Sequence, residues 1–166
     1  MTIYRRITTN CTLVSLSFVL LAHSAVGQSK NGKHACSQPQ PAQLCNTNNT
    51  CGSAFSPCVV DVKRTGDGAS STPSSPEGKS NALFCVATGT KVTWKSTAKN
   101  IGFVVDTGET SPFEPAGAII GGSNRAVTVV AKTPGCYKYS AGACMSGAIY
   151  GMCKDTSAEL IVVGGK

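Results

Sequence analysis

Hydrophobic and polar residues alternate in short runs through the second two-thirds of the chain. In Lys91–Lys95, for example, Val92 and Trp94 fall on one face of an extended strand and the polar residues fall on the other. No segment has a convincing 3.6-residue period. The pattern predicts seven strands, at residues 58–63, 82–87, 91–95, 101–106, 125–132, 136–139 and 158–163.

Segments rich in Gly, Pro and Ser separate these runs. The longest cover residues 65–80, 108–122 and 141–151, and we predict that they are loops. Short strands joined by such segments are typical of an antiparallel β-sandwich. The loops 108–122 and 141–151 are predicted to face a partner, because loops at the end of a sandwich are free to vary.

The first 27 residues have the pattern of a secretory signal peptide. Arg5 and Arg6 precede an apolar stretch at residues 13–22, and small residues follow it up to Gly27. The apolar stretch is shorter than the roughly 20 residues that a membrane-spanning helix needs. We therefore predict a secreted or periplasmic protein, cleaved after Gly27, with no transmembrane segment after processing.

The cysteine content agrees with export. Nine cysteines are present, and loss of residues 1–27 removes Cys11 and leaves an even number. An even number in an exported chain predicts disulfides, and the absence of any Cys-x-x-Cys pair disfavours zinc. The predicted disulfide cysteines are Cys36, Cys45, Cys51, Cys58, Cys85, Cys136, Cys144 and Cys153.

A change in composition divides the mature chain. Residues 28–56 are polar and lack apolar periodicity, which predicts an irregular arm held by local bridges among Cys36, Cys45, Cys51 and Cys58. Residues 57–166 are predicted to form the sandwich.

The charge and the histidine content of the chain disfavour most catalytic sites and nucleic-acid binding. The chain carries 15 Lys+Arg and 8 Asp+Glu, and loss of Arg5 and Arg6 lowers its net charge from +7 to +5. His34 is the only histidine after residue 27, so a hydrolase triad has a single candidate base. The basic residues are mostly isolated and lack exposed aromatic neighbours, which disfavours nucleic-acid binding. We predict no enzymatic activity, and a partner in the cell envelope or among secreted proteins.

Three stretches together resemble the cupredoxins, of plastocyanin or phytocyanin type. They are residues 88–94 (TGTKVTW), 101–106 (IGFVVD) and 133–139 (TPGCYKY), followed by a loop and a terminal apolar strand. The resemblance covers roughly residues 58–163. It implies a Greek-key topology and a site for copper, which this family binds through two histidines, a cysteine and usually a methionine.

The family's copper ligands do not fall on suitable residues. The first histidine is expected a few residues after Trp94, where residues 99–103 read KNIGF. In the plant-type alignment the second histidine falls on Ala143 and the methionine on Ala148, whereas Cys144 matches a structural disulfide cysteine. In the bacterial-type alignment the ligand cysteine falls on Ala141. The resemblance therefore predicts no metal, no cofactor and no type 1 copper site.

The family topology also suggests pairings for four of the cysteines. It places Cys144 and Cys153 near the loop end and Cys85 and Cys136 nearer the other end, so we predict Cys144–Cys153 and Cys85–Cys136. The sequence then predicts an exported, disulfide-stabilised binding or structural module. The alternative is a metal-binding or electron-transfer protein with non-standard ligands, such as Met145, Met152 and a free Cys144 or Cys153. A third possibility is a secreted effector or inhibitor whose activity lies in the arm.

Overall fold

The computed structural model describes residues 35–53, 55–66, 68–73, 83–145 and 155–164, all within the compact unit Gly32–Lys166. The predicted signal peptide and its predicted cleavage site lie outside these residues. The described chain contains two short 3₁₀ helices, Ala35–Ser37 and Pro41–Leu44, and ten strands. The strands are β1 (Cys58–Thr65), β2 (Gly68–Pro73), β3 (Leu83–Ala87), β4 (Lys91–Lys95), β5 (Ile101–Asp106), β6 (Phe113–Glu114), β7 (Ile119–Gly122), β8 (Val127–Ala131), β9 (Gly135–Met145) and β10 (Thr156–Val163). No helix among the described residues has the length and apolarity needed to cross a bilayer.

The strands form two five-stranded sheets. Sheet I has the order β2-β1-β4-β8-β6, and sheet II has the order β3-β10-β9-β5-β7. The predicted all-β sandwich is confirmed, but the sheets are mixed rather than purely antiparallel. β1 runs parallel to β4 in sheet I, and β10 runs parallel to β3 in sheet II.

Three strands lie in segments that the sequence predicts to be loops. β2 falls within residues 65–80, and β6 and β7 fall within residues 108–122. Each lies at the edge of a sheet and is either very short or rich in Gly and Ser, although Ala69, Phe113 and Ile119 reach the main core. β9 continues to Met145, into the predicted loop 141–151, because the buried Ala141 and Ala143 alternate with the partly buried Ser140 and Gly142 at the strand period.

The main core lies between the sheets and is centred on aromatic residues. Trp94 is fully buried and makes edge-to-face contacts with three other aromatic rings. The distances between ring centroids are 5.7 Å to Tyr139, 6.1 Å to Phe84 and 6.2 Å to Phe113. The alternation seen in the sequence around Trp94 therefore places its apolar face between the two sheets, as predicted.

A second, smaller core lies on the outer face of sheet II, where the arm packs. Leu160 and Val162 of β10 belong to the main core, whereas Ile161 between them packs with Ala35 and Cys85 in the smaller one. β10 is thus buried on both faces. The arm also extends sheet II at the β3 edge, since Cys51 N donates to Cys85 O (2.7 Å) and Cys85 N donates to Asn49 O (2.8 Å).

The disulfides tie the arm to the sandwich. Cys36 bonds to Cys136 and Cys45 bonds to Cys85, while only Cys51–Cys58 is a local bridge. The predictions of a purely local set of arm bridges and of a Cys85–Cys136 pair are therefore wrong.

The strand register explains the second correction. Ile161 of β10 pairs with Cys136 on one side and with Cys85 on the other. Two strand spacings, about 9–10 Å, separate the two cysteines, whereas a disulfide requires Cα atoms roughly 4.4–6.8 Å apart. The arm crosses this outer face and supplies the nearer partner to each.

Candidate functional site

The candidate site is the end of the sandwich where β4 leads into β5 and where β9 ends. The turn between β4 and β5 covers the expected position of the first histidine. Asp61 of β1 holds this turn, because its carboxylate accepts hydrogen bonds from Thr97 N (2.9 Å) and Thr97 Oγ1 (2.6 Å). Asn100, next to β5, is exposed and adopts a φ of 58°, a conformation that Asn tolerates better than most residues.

Asp61 has a pKa below its ordinary value. Partial burial raises the pKa, but the two hydrogen bonds from Thr97 and the ammonium group of Lys63, 3.1 Å away, outweigh that effect. The carboxylate is therefore ionised at neutral pH and fastens the turn to sheet I.

On the opposite sheet, β5 and β9 bring small side chains to the core at this end. Phe103 pairs with Ala143, and Val105 pairs with Ala141. Both alanines are almost fully buried and belong to the same core as Trp94. Because their side chains face into the sandwich beside Phe103 and Val105, the interior here is filled by apolar groups.

The residues at or near the expected ligand positions differ in burial. Asn100 is exposed, whereas Ala141 and Ala143 are in the core. Cys144 is buried and already disulfide-bonded, so it has no thiolate to offer. Its partner lies outside the described residues, as does Cys153, so the Cys144–Cys153 pairing stays a prediction.

Metal-binding side chains are sparse at this end. Nowhere in the described ranges do three His, Cys, Asp or Glu side chains group closely enough to hold a metal ion. Met145 follows Cys144 and is 55% exposed. His34, Ala148 and Met152 lie outside the described residues.

Glu159, which holds the arm against sheet II, is a residue whose role was not predicted from the sequence. The Glu159 carboxylate is largely buried on the outer face of sheet II and accepts hydrogen bonds from Ala35 N (2.6 Å) and Cys36 N (3.4 Å). A signal was present, since Glu159 is the only charged residue in the apolar run 158–163. An acid in such a run indicates a buried partner that supplies donors.

A shallow groove of about 510 Å³ lies beside the second 3₁₀ helix, away from the candidate site. Its floor is mainly apolar. The lining residues are Gln40–Gln43 of the arm, Pro134 and Gly135 at the start of β9, and Ile161–Gly164 at the end of β10.

No protein-family profile matches the chain, and no curated protein matches it. Among solved structures, the chain is similar to an oxidised mutant of amicyanin, with a TM-score of 0.36 and 16% identity, over 69% of this chain and 93% of that chain.

The fold is a disulfide-rich β-sandwich. The arm and its two long-range disulfides lie on the outer face of sheet II. Ala141 and Ala143 of β9 lie on its inner face, in the main core.

Proposed function

We propose that the protein is an exported binding or structural module that uses a cupredoxin-like sandwich without a type 1 copper site, and that it is not an enzyme. The observation that carries this proposal is the burial of Ala141 and Ala143. A type 1 site needs one thiolate and two imidazoles in a nearly fixed plane. These positions instead present methyl groups packed against Phe103 and Val105.

Export is supported by the disulfides as well as by the signal-like first 27 residues. Seven of the described cysteines are disulfide-bonded. Disulfides of this kind persist in oxidising compartments and are rare in the cytosol. N-terminal sequencing of the protein recovered from the medium or periplasm should begin at Gln28, and recovery only from the cytosol with an intact N-terminus would contradict export.

The alternative function, a metal or electron carrier with non-standard ligands, depends on Met145 and on a free thiol. Met145 is exposed enough to meet a metal ion, but Cys144 is already oxidised. A thioether alone is a weak ligand that favours Cu(I). We therefore rank this function second.

Copper addition to the mature, oxidised protein tests the choice. We expect no intense thiolate-to-copper absorption band and less than one-tenth equivalent of copper after desalting, measured by elemental analysis. One tightly held equivalent together with an intense blue band would overturn the proposal.

Met145→Leu serves as the matched variant, because it keeps the apolar volume and removes the sulfur. Equal copper retention in this variant and in the parent assigns residual binding to adventitious sites. A loss of copper specific to Met145→Leu would instead favour the carrier function.

A further inference from the structure

The two outer faces of the sandwich differ in charge. The strands of sheet I carry four basic residues (Lys63, Arg64, Lys91 and Lys95) and two acidic residues (Asp61 and Glu114). The strands of sheet II carry one basic residue, Lys138, and two acidic residues, Asp106 and Glu159. The excess of positive charge in the described strands is therefore confined to sheet I.

The acids of sheet I are already paired. Asp61 lies 3.1 Å from the ammonium group of Lys63, and Glu114 lies 3.2 Å from that of Lys132. Lys91, Lys95 and Arg64 have no ion-pair partner within the described ranges. Of these three, Lys91 and Lys95 belong to β4, the central strand of the sheet.

Lys91 and Lys95 lie on one line along the outer face of β4. Val92 and Trp94 point into the core, so Lys91, Thr93 and Lys95 point outward. The two lysine Cα atoms are about 13 Å apart along the strand. Between them the hydroxyl groups of Thr93 and Thr128, on adjacent strands, are 2.9 Å apart.

We propose that this face, centred on Lys91, Thr93, Lys95 and Thr128, binds a linear anionic polysaccharide. The lysines match carboxylate or sulfate groups spaced along a chain, and the threonine hydroxyls can exchange hydrogen bonds with sugar hydroxyls. The inference rests on the proposed function, since it gives the exported module a partner of defined chemistry.

Other polyanions fit this face less well. Single-stranded nucleic acid is bound through exposed aromatic rings, and the aromatic residues of the sheet I strands, Trp94 and Phe113, are buried. Insertion into a bilayer needs exposed apolar side chains. The exposed large apolar residues of the described chain are Leu44, Phe55, Ile120 and Met145, and none of them lies in sheet I.

The test measures binding of the mature protein to two soluble probes, heparin for sulfated glycans and polygalacturonate for carboxylated ones. We expect binding that weakens steeply between 20 and 200 mM salt, roughly as charge screening dictates. The double variant Lys91→Gln/Lys95→Gln should bind the preferred probe about tenfold more weakly. Thr93→Val should weaken binding to a smaller extent without changing its salt dependence.

The matched control is Lys99→Gln/Lys138→Gln, which removes the same charge from two exposed lysines outside sheet I. It should bind within about twofold of the parent if location matters more than net charge. Equal weakening by both double variants, equal binding to neutral dextran, or tighter binding to single-stranded DNA or anionic vesicles would overturn the proposal.

Failure here is separable from failure of the proposed function. Copper titration on the same samples reports the proposed function independently. Absence of glycan binding without copper uptake overturns only the polysaccharide inference, whereas stoichiometric copper uptake overturns the proposed function whatever the glycan result.

Discussion

The two ends of sheet II are stabilised in different ways. At the arm end, two disulfides and a buried carboxylate attach a polar segment that has little apolar surface of its own. At the candidate-site end, Phe103 and Val105 of β5 and the paired Ala143 and Ala141 of β9 supply apolar side chains to the main core. The sandwich therefore keeps an apolar interior at this end by direct packing of its own strands.

The largest expected effect on stability comes from removing the disulfide that links the arm to β9. Cys36→Ala/Cys136→Ala removes a cross-link between residues 100 apart in sequence, and chain entropy assigns a link of that length about 4–5 kcal/mol. Both cysteines are only partly buried, so the cavity left behind is small. Urea unfolding under oxidising conditions, with the other disulfides intact, measures the change.

The interpretation of that variant depends on which part of the molecule loses structure when the disulfide is removed. The folded β-sandwich should keep its far-ultraviolet circular dichroism spectrum, since the main core is untouched. A free-energy loss below about 1 kcal/mol would show that the arm adds little to stability and that the contrast between the two ends is false.

The packed end is tested by enlarging one of its alanines. Ala143→His, which places an imidazole at a buried position of β9, should destabilise the protein by about 2–4 kcal/mol because the side chain is too large and too polar for its site. Ala126→His, at an exposed position before β8, should change stability by no more than about 0.5 kcal/mol. Equal stability of the two variants would mean that the end of the sandwich contains usable space.

The sandwich could be predicted because its central strands follow a strict hydrophobic alternation, as around Trp94. The edge strands β2, β6 and β7 could not, because β2 is rich in Ser and Thr, β6 has only two residues, and β7 is two isoleucines followed by two glycines. The continuation of β9 to Met145 could not be predicted for a similar reason. Ala141-Gly142-Ala143 has the composition of a loop, although its side chains alternate in burial as they do in a strand.

The disulfide pairing could not be predicted from the sequence, for a different reason. The choice depends on where the arm crosses sheet II, and no local pattern in residues 35–45 encodes that path. Glu159 marks the crossing point, but an acid in an apolar strand indicates only that a donor approaches, and not which backbone amide supplies it.

A smaller effect is expected at that carboxylate. Glu159→Ala leaves the amides of Ala35 and Cys36 without their acceptor and should cost about 1.5–3 kcal/mol, whereas Glu159→Gln keeps one acceptor oxygen and should cost less. Glu109→Ala, at an exposed loop position, is the control and should have little effect. Amide hydrogen exchange distinguishes local from global loss, because exchange should accelerate first at Ala35 and Cys36 if the carboxylate seats the arm.

The smallest expected effect concerns the turn at the candidate site and depends on pH. Because the folded-state pKa of Asp61 lies below the unfolded value near 3.9, its stabilisation is present above that value and is lost as pH falls through the folded pKa. Thr97→Val removes the hydroxyl that donates to Asp61 Oδ2, and it should lower stability at pH 7 by less than about 1 kcal/mol for a solvent-accessible contact.

The difference between Thr97→Val and the parent should shrink as pH falls through the folded-state pKa of Asp61, because the carboxyl group is then protonated in both the folded and the unfolded chain. Thr128→Val is the control, because the hydroxyl group it removes contacts the Thr93 hydroxyl and not a carboxylate. Its effect on stability should not depend on pH in this way. A Thr97→Val deficit that stayed constant from pH 7 to pH 2 would assign the role of Thr97 to packing. The charge of Asp61 would then contribute nothing to holding the turn between β4 and β5.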